Sequence, residues 1–246
     1  LLGGPRVLLS VPSGVNEAER HQLISALFEA GARRTYMMER PVASAVGAGL
    51  PIGEPSGQMI VDIGGGVTEI AVMSLGRMTV WNNIKLGGDT FDDAIIKYLR
   101  RKHNFLVGPI TAEDIKITLG SVIPRSEQFY MEVTGRSLLT GLPKVMHVTS
   151  DEVTEAMAGP LQTLLEAIHG VLEQTPAELV GDISEAGIVL TGGGALLSGL
   201  CEAVQLSLKI DCRLAEDPQE ATARGCCQTL ENWNEYNRFL GDKKKR

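Results

Sequence analysis

Two glycine runs carry the most legible chemistry in this sequence. The first, in VDIGGGVTEIAVMSL at 61–75, is an apolar run that ends in an acid and opens directly into Gly64, Gly65 and Gly66 before a second β-rich run. Bare glycyl backbone lets N–H groups approach an anion without side chains in the way, and phosphate is the natural anion. The second, in TGGGALL at 191–197, sets Gly192, Gly193 and Gly194 at an expected helix start, where unpaired N–H groups and the helix dipole favour negative charge. Both follow apolar runs that suit buried strands, and the carboxyl ends of strands are where open α/β sheets bind ligands. Asp62 is placed to hold a hydrated Mg²⁺, which keeps several waters and takes one or two carboxylates; alternatively it only caps the turn. No GxxxxGK[ST] occurs, and no GxGxxG follows the first strand, so neither a Walker loop nor a dinucleotide fold is spelled out.

The elements that must hold these turns alternate between strand and helix. RVLLSVP at 6–12 is a continuous apolar run suited to a buried strand. In the helix after it, Asn16 and Glu19 form a capping-box pattern, Leu23, Ile24, Leu27 and Phe28 make one apolar stripe, and Gly31 ends it. The stretch 36–51 reads as a strand end, a turn at Arg40-Pro41 and a helix of small residues, which implies close packing. From Gln58, two β-rich runs joined by the first glycines form a hairpin, and RMTVWNNIKL follows another turn at Gly76. DTFDDAIIKYLRRKH makes an amphipathic helix with Phe91, Ile95 and Leu99 on one face. A shorter helix opens at Thr111 with Asp114 three residues on, and 121–149 reads as an irregular β-rich insert. Ser150 is expected to cap a long helix that Pro160 should kink. GIVLT leads into the second glycines and a further helix, and Asp217, Pro218 and Glu220 mark the start of the last one. Strand, glycine turn, helix is the repeated unit, and it defines a layered α/β architecture.

Composition narrows the function classes. With 246 residues and 43% hydrophobic content the chain can build one large core or two small ones. A net charge of -7 and a pI near 5.2 argue against DNA or RNA, which need clustered Lys and Arg to neutralise phosphates. The basic clusters, KYLRRKH at 97–103 and KKKR at 243–246, read as a solvated helix face and a frayed tail. Cys201, Cys212, Cys226 and Cys227 form no CxxC pair, and His21, His103, His147 and His169 are scattered, so no zinc or redox motif is spelled out. Reduced thiols and the absence of a secretory signal or an apolar stretch of roughly 18 residues lead to the expectation of a soluble cytoplasmic protein. The chain does not begin with methionine, as expected of a fragment or a trimmed product.

Four segments, VDIGGGVTEIAVMSLG, ERPVASAVGAGLPI, TAEDIKITLG and GIVLTGGGALLSGL, resemble in order and spacing the MreB family of bacterial actins, and GGDTFDDAIIKYLRR and TPAELVGDI agree as well. The resemblance implies an actin-like ATPase fold, with ribonuclease H-like lobes that clasp ATP and Mg²⁺. This chain would hold one complete lobe and part of the other. Residues 1–56 would belong to the first lobe, 57–107 and 150–225 to the second-lobe core with its nucleotide-binding turns, 108–149 to a small inserted subdomain, and 226–246 to a helix end and basic tail. The family implies self-assembly into filaments in the cytoplasm, at the inner face of the membrane, with wall-synthesis membrane proteins as partners and cell shape as the outcome. Carried over by position, Asp62 would sit near the metal, and Gly64, Gly65 and Gly66, followed by Val67, would wrap the β and γ phosphates. Glu113 and Lys116 match nucleoside-binding positions, and Gly192, Gly193 and Gly194 with Ala195 and Leu196 would lie along the adenosine and α phosphate. Without the resemblance, Glu113 and Lys116 read as an ordinary exposed helix pair.

Three departures bear on activity. The family's leading segment, with a loop that grips the phosphates from the other side, has no counterpart here, so the protein is longer or this polypeptide binds nucleotide poorly. The family has an acid directly before the proline that positions the attacking water; here the stretch is Glu39-Arg40-Pro41. The residue after the glycines is usually a threonine that helps hold the same water, and here it is Val67. A guanidinium is not a base and valine has no hydrogen-bonding group, and losing one general base or water-orienting group costs about 10² to 10⁴ in rate. The expectation is a protein that binds ATP and hydrolyses it slowly or not at all, unless Glu39 rotates in to rescue the function; Arg40 could still attract the γ phosphate. Alternative readings are a non-polymerising regulatory module, or a chaperone or sugar-kinase type of ATPase from the same superfamily. Leu1 and Leu2 fall near the family's apolar membrane loop and could assist attachment.

Overall fold

The computed structural model describes residues 4–240 and 243–245, the last three by backbone alone. The chain opens with β1 (Arg6–Val11), α1 (Glu17–Glu29), β2 (Arg34–Glu39) and α2 (Arg40–Gly47). β1 and β2 pair in parallel, from Arg6 opposite Arg34 to Val11 opposite Glu39, with α1 as the crossover that parallel strands require. The expected capping box starts α1: the Glu19 N–H donates to Asn16 Oδ1 at 2.9 Å and the Asn16 N–H to Glu19 Oε2 at 3.0 Å.

Next come β3 (Gln58–Ile63), β4 (Thr68–Ser74), β5 (Arg77–Ile84), α3 (Gly88–His103), the short β6 (Phe105–Leu106) and α4 (Pro109–Leu119). They are followed by β7 (Tyr130–Ser137), β8 (Pro143–Thr149), α5 (Ser150–Gln174), α6 (Ala177–Ala186) and β9 (Ile188–Thr191). The chain ends with α7 (Leu200–Leu208), β10 (Cys212–Leu214), α8 (Ala221–Glu231), the single turn α9 (Trp233–Tyr236) and β11 (Lys243–Lys245). The main sheet has the order β10-β9-β3-β4-β5, with β3, β9 and β10 parallel and β3, β4 and β5 an antiparallel meander. β6, β7 and β8 make a small antiparallel sheet.

Strand alternation sorts the main sheet into two cores. Met59, Val61, Ile63, Ile70 and Val72 face one way, onto a cluster with Phe91, Ile95 and Leu99 of α3 and Met157, Leu164 and Ile168 of α5. Ile60, Ala71 and Met73 face the other way, onto α2 and onto Tyr36 and Met38 of β2. With period two, Asp62 and Glu69, opposite one another across β3 and β4, belong to this second face.

The small residues of α2 pack as their sizes imply. A Cβ on Gly225 would run into the Ala43 carbonyl oxygen, and one on Gly47 into the Ala221 carbonyl oxygen, so α2 and α8 meet backbone to backbone. Among the described residues no helix is long and apolar enough to cross a membrane.

Several local expectations are corrected. α4 begins at Pro109 behind Gly108, without a side-chain cap, so Thr111 and Asp114 are interior; a proline at the first helical position sets the start two residues earlier. Thr149, not Ser150, caps α5 in a capping box with Glu152, while Ser150 Oγ accepts from the Phe129 N–H at 3.1 Å. The second glycine run opens a 3₁₀ turn, Gly193–Leu196, and α7 starts only after Gly199. The last long helix starts at Ala221; Asp217 takes φ +42° and pairs with Arg224 at 2.9 Å. Residues 121–149 contain a regular hairpin, and the backbone of Lys243–Lys245 extends the first sheet by pairing antiparallel with β2. Leu1, Leu2 and Arg246 lie outside the described residues.

Replacing Gly225 by valine should force α2 and α8 apart and destabilise the chain by at least about 2–3 kcal/mol. Thermal unfolding followed by circular dichroism checks this, and an unchanged melting temperature would contradict the backbone contact.

Candidate functional site

The two glycine corners meet at one cavity of about 420 Å³, within the size range of small-molecule sites. Gly64, Gly65 and Gly88 form one stretch of its wall, Gly193 and Gly194 another, and α4 closes it with Glu113, Lys116, Ile117 and Gly120. The loop after β3 is pinned by α3: the Gly88 N–H donates to the Gly64 carbonyl at 3.0 Å and the Asp89 N–H to the Gly65 carbonyl at 2.8 Å. A Cβ on Gly87 would collide with both of those carbonyl oxygens, so that corner requires glycine. With the Gly64 and Gly65 carbonyls turned to α3, the N–H groups of Gly65 and Gly66 find no backbone acceptor among the described residues, and neither do those of Gly193 and Gly194. Unpaired amides in concave backbone are the physical basis of anion binding.

Lys116 links the two sides. Its ammonium donates to the Gly88 carbonyl at 3.1 Å and pairs with Asp92 at 2.9 Å, holding α4 to the first turn of α3. Burial pushes the Asp92 carboxyl up, against the pull of Lys116. The cavity also has apolar lining: Ile117 and Leu196 are 72% and 51% exposed, large side chains held in the open against the hydrophobic effect, and Leu197 lines it as well. Unpaired glycyl amides and apolar side chains in one cavity match the mixed polarity of a nucleotide, with its charged phosphates and flat base.

A second constellation lies on the α2 face of the sheet. Asp62 is buried, and its Oδ2 accepts from Ser44 Oγ at 2.7 Å and from Thr222 Oγ1 at 3.3 Å. Next to it, Glu69 is fully buried, with Oε1 accepting the Ser13 N–H at 2.7 Å and Oε2 3.2 Å from Arg40 Nη1. Asn83 Nδ2 donates to the Ser13 carbonyl at 2.8 Å, so β4 and β5 together grip the turn after β1. Burial pushes the Glu69 carboxyl up, while the Ser13 amide and Arg40 pull it back. Glu39 lies 3.7 Å from Arg20, and burial raises its carboxyl against that cation.

The structure therefore gathers Gly64, Gly65, Glu113, Lys116, Gly193, Gly194 and Leu196 on the cavity wall, as expected from the sequence. Gly66, Val67, Gly192 and Ala195 flank it without lining it, and Asp62, Glu39 and Arg40 belong to the α2 face. Gly88, Asp89, Phe91, Arg125 and Gln219 also line the cavity and were missed. The Gly87-Gly88 pair before an aspartate was the available signal: a third glycine corner opening a helix. Asp62 and the Ser44 and Thr222 hydroxyls are hard oxygen donors that suit a hydrated Mg²⁺. No group of three or more His, Cys, Asp or Glu side chains among the described residues could hold a metal alone, so a bound ion would depend on ligand phosphates.

The fold is that of the actin-like ATPases. The chain overlays MreB5 of Spiroplasma citri, solved with ADP and with AMPPNP, at a TM-score of 0.91 and 34% identity, covering 96% of this chain and 72% of the ADP-bound one. It overlays a MamK chain from a double helical filament at a TM-score of 0.77 and 20% identity, covering 93% and 69%. The MreB/Mbl protein family model matches residues 1–238, and the chain belongs to that family of cell shape-determining actin homologues. It is 46% identical over 227 residues to the cell shape-determining protein MreB of Escherichia coli K12, covering 92% of this chain and 65% of the E. coli protein's length.

Removing the Arg40 side chain leaves Glu69 buried without its cation and should cost about 1–3 kcal/mol at neutral pH. A carboxyl whose folded pKa is raised gives stability on the acid side that is lost as pH rises through that pKa, and without Arg40 the pKa rises further. The stability gap between Arg40→Ala and the parent should thus be larger at pH 7 than at pH 5, because acid favours the neutral carboxyl and removes the charge left unpaired in the variant. Urea unfolding at the two pH values measures it; a gap independent of pH would contradict the ion pair.

Proposed function

We propose that this chain is the nucleotide-holding part of an MreB-type actin that binds ATP with Mg²⁺ and assembles with copies of itself. The observation that carries the reading is the single cavity that brings unpaired glycyl amides and apolar side chains together. The β and γ phosphates would take the amides after β3, the α phosphate and adenosine would run along Gly193, Gly194 and Leu196, and Glu113 and Lys116 would border the nucleoside. Mg²⁺ would be held by the phosphates, with Asp62 reaching it through water. Residues 1–56 would form part of one lobe, 57–107 with 150–225 the core of the other, 108–149 its small subdomain, and 226–246 its end.

Hydrolysis would be impaired. The position that needs a water-orienting acid carries Arg40, whose guanidinium is engaged by Glu69, and Val67 offers no polar group. Glu39 is held by Arg20 instead of standing free to replace the missing acid. The ADP- and AMPPNP-bound MreB5 structures support nucleotide binding, and the filament of the related MamK fold supports self-assembly. The proposed setting is the inner face of the cytoplasmic membrane, with wall-synthesis membrane proteins as partners and rod shape as the outcome.

Titration calorimetry of the gene-encoded protein with ATP and Mg²⁺ should detect one site per chain, and no heat of binding would contradict the reading. Phosphate release should be slow in the parent and rise by about 10² or more in the double variant Arg40→Glu, Val67→Thr. Equal rates in the two proteins would show that these positions do not limit hydrolysis.

A further inference from the structure

A second cavity, of about 420 Å³, opens beside the β4–β5 turn, at the opposite end of β4 from the glycine loop. Its walls are fixed by close packing. The Phe239 ring fills the place that a Cβ on Gly76 would take, Arg238 lies across Gly53, and the Trp81 indole covers Gly14. Trp81 still keeps 44% of its surface exposed, and the Arg238 guanidinium carbon lies 4.8 Å from the centre of the Phe239 ring. Three arginines, Arg20, Arg77 and Arg238, line this cavity against one carboxylate, Glu39. Arg20 takes that carboxylate at 3.7 Å. Among the described residues no carboxylate lies within ion-pair distance of Arg77 or Arg238. Both are exposed, and Met37, Val42 and Met78 supply apolar lining. In a chain of net charge -7, this is a local excess of positive charge beside aromatic and apolar side chains.

We infer that this cavity docks an acidic segment of another protein, one that sets a large apolar side chain among its carboxylates. The inference does not depend on the nucleotide reading. Charge complementarity carries it: Arg77 and Arg238 offer planar donor forks that match carboxylates and have no partner of their own. Trp81 and Phe239 supply rigid apolar surface for the side chain between those carboxylates, and the thioethers of Met37 and Met78 adapt to its shape. Tryptophan and arginine together are the residue types that dominate the energy of protein interfaces. An inorganic anion would use the guanidinium groups and leave the apolar lining bare. A neutral apolar segment would cover the lining and leave the cations unpaired. Sites for small molecules enclose most of the ligand surface, whereas Arg77, Trp81 and Arg238 stand open to solvent, as the rim of a protein interface does.

The test is titration of the gene-encoded protein with a blocked peptide of acidic residues around one phenylalanine, and with the same peptide carrying amides in place of its carboxylates. The Trp81 indole N–H resonance, assigned with Trp81→Phe, reports binding. The acidic peptide should shift that resonance to saturation, lose affinity as salt is raised, and bind about tenfold or more tighter than the amide peptide. Arg77→Glu and Arg238→Glu should each weaken the acidic peptide about tenfold or more. Both variants should keep the melting temperature and the ATP titration of the parent, because both side chains are exposed and neither lines the glycine cavity. Equal affinity for the two peptides, or parental affinity in the charge-reversed variants, overturns the assignment. If inorganic phosphate shifts the Trp81 resonance as tightly as the acidic peptide does, the cavity takes small anions only and the assignment falls. It also falls if the peptide does not bind and Arg77→Glu alters sedimentation of the protein with itself, since the face then joins copies of this chain. Peptide binding in a parent that takes up no ATP would remove the nucleotide reading and leave this site standing.

Discussion

The cavity exists because three turns have no side chains where they touch. Gly87 presses on the carbonyls of Gly64 and Gly65, Gly192 on the carbonyl of Ile63, and Gly194 on the Ile63 side chain. Any Cβ at these positions would push the β3 loop away from α3 or from the β9 turn. The approach also decides the direction of the peptide groups. The first N–H groups of α3 are satisfied by the Gly64 and Gly65 carbonyls, so the helix start is spent on holding the loop. The amides left over belong to the loops, and an anion here is met by loop N–H groups more than by a helix dipole.

Strand alternation then separates two kinds of chemistry that are close in sequence. Ile63 points into the larger core and leads to the glycines of the cavity, while Asp62, one residue earlier, belongs to the α2 face with Glu69. There the chain has built a polar knot of Asp62, Ser44, Thr222, Glu69, Ser13, Asn83 and Arg40 between the first sheet and the main one. Arg40 in this knot compensates a buried carboxylate. Arg40 thus has a structural role here, apart from the effect on hydrolysis proposed for it.

Much of this was legible in the sequence. The capping box at Asn16 and Glu19, the α3 stripe of Phe91, Ile95 and Leu99, and the β3–β4 hairpin follow from local rules with little competition from tertiary contacts. The glycine runs pointed to a binding site, and seven of the residues named for it line one cavity. Other features depended on packing. The start of α8 moved to Ala221 because the Pro218 carbonyl accepts the Gly192 N–H at 2.8 Å, a bond between segments far apart in sequence. Arg125 was silent for the same reason: only the folded connection after α4 brings it to the cavity. The Arg40–Glu69 pair joins residues on different elements, which no spacing rule could reveal.

The central claim is that the free loop amides meet the phosphates. Amide NMR of the protein titrated with ATP and Mg²⁺ tests it most directly. The account requires the N–H resonances of Gly65, Gly66, Gly193 and Gly194 to move downfield together, with saturation at one equivalent. Shifts confined to other parts of the chain, with these four glycines unmoved at saturation, would contradict it.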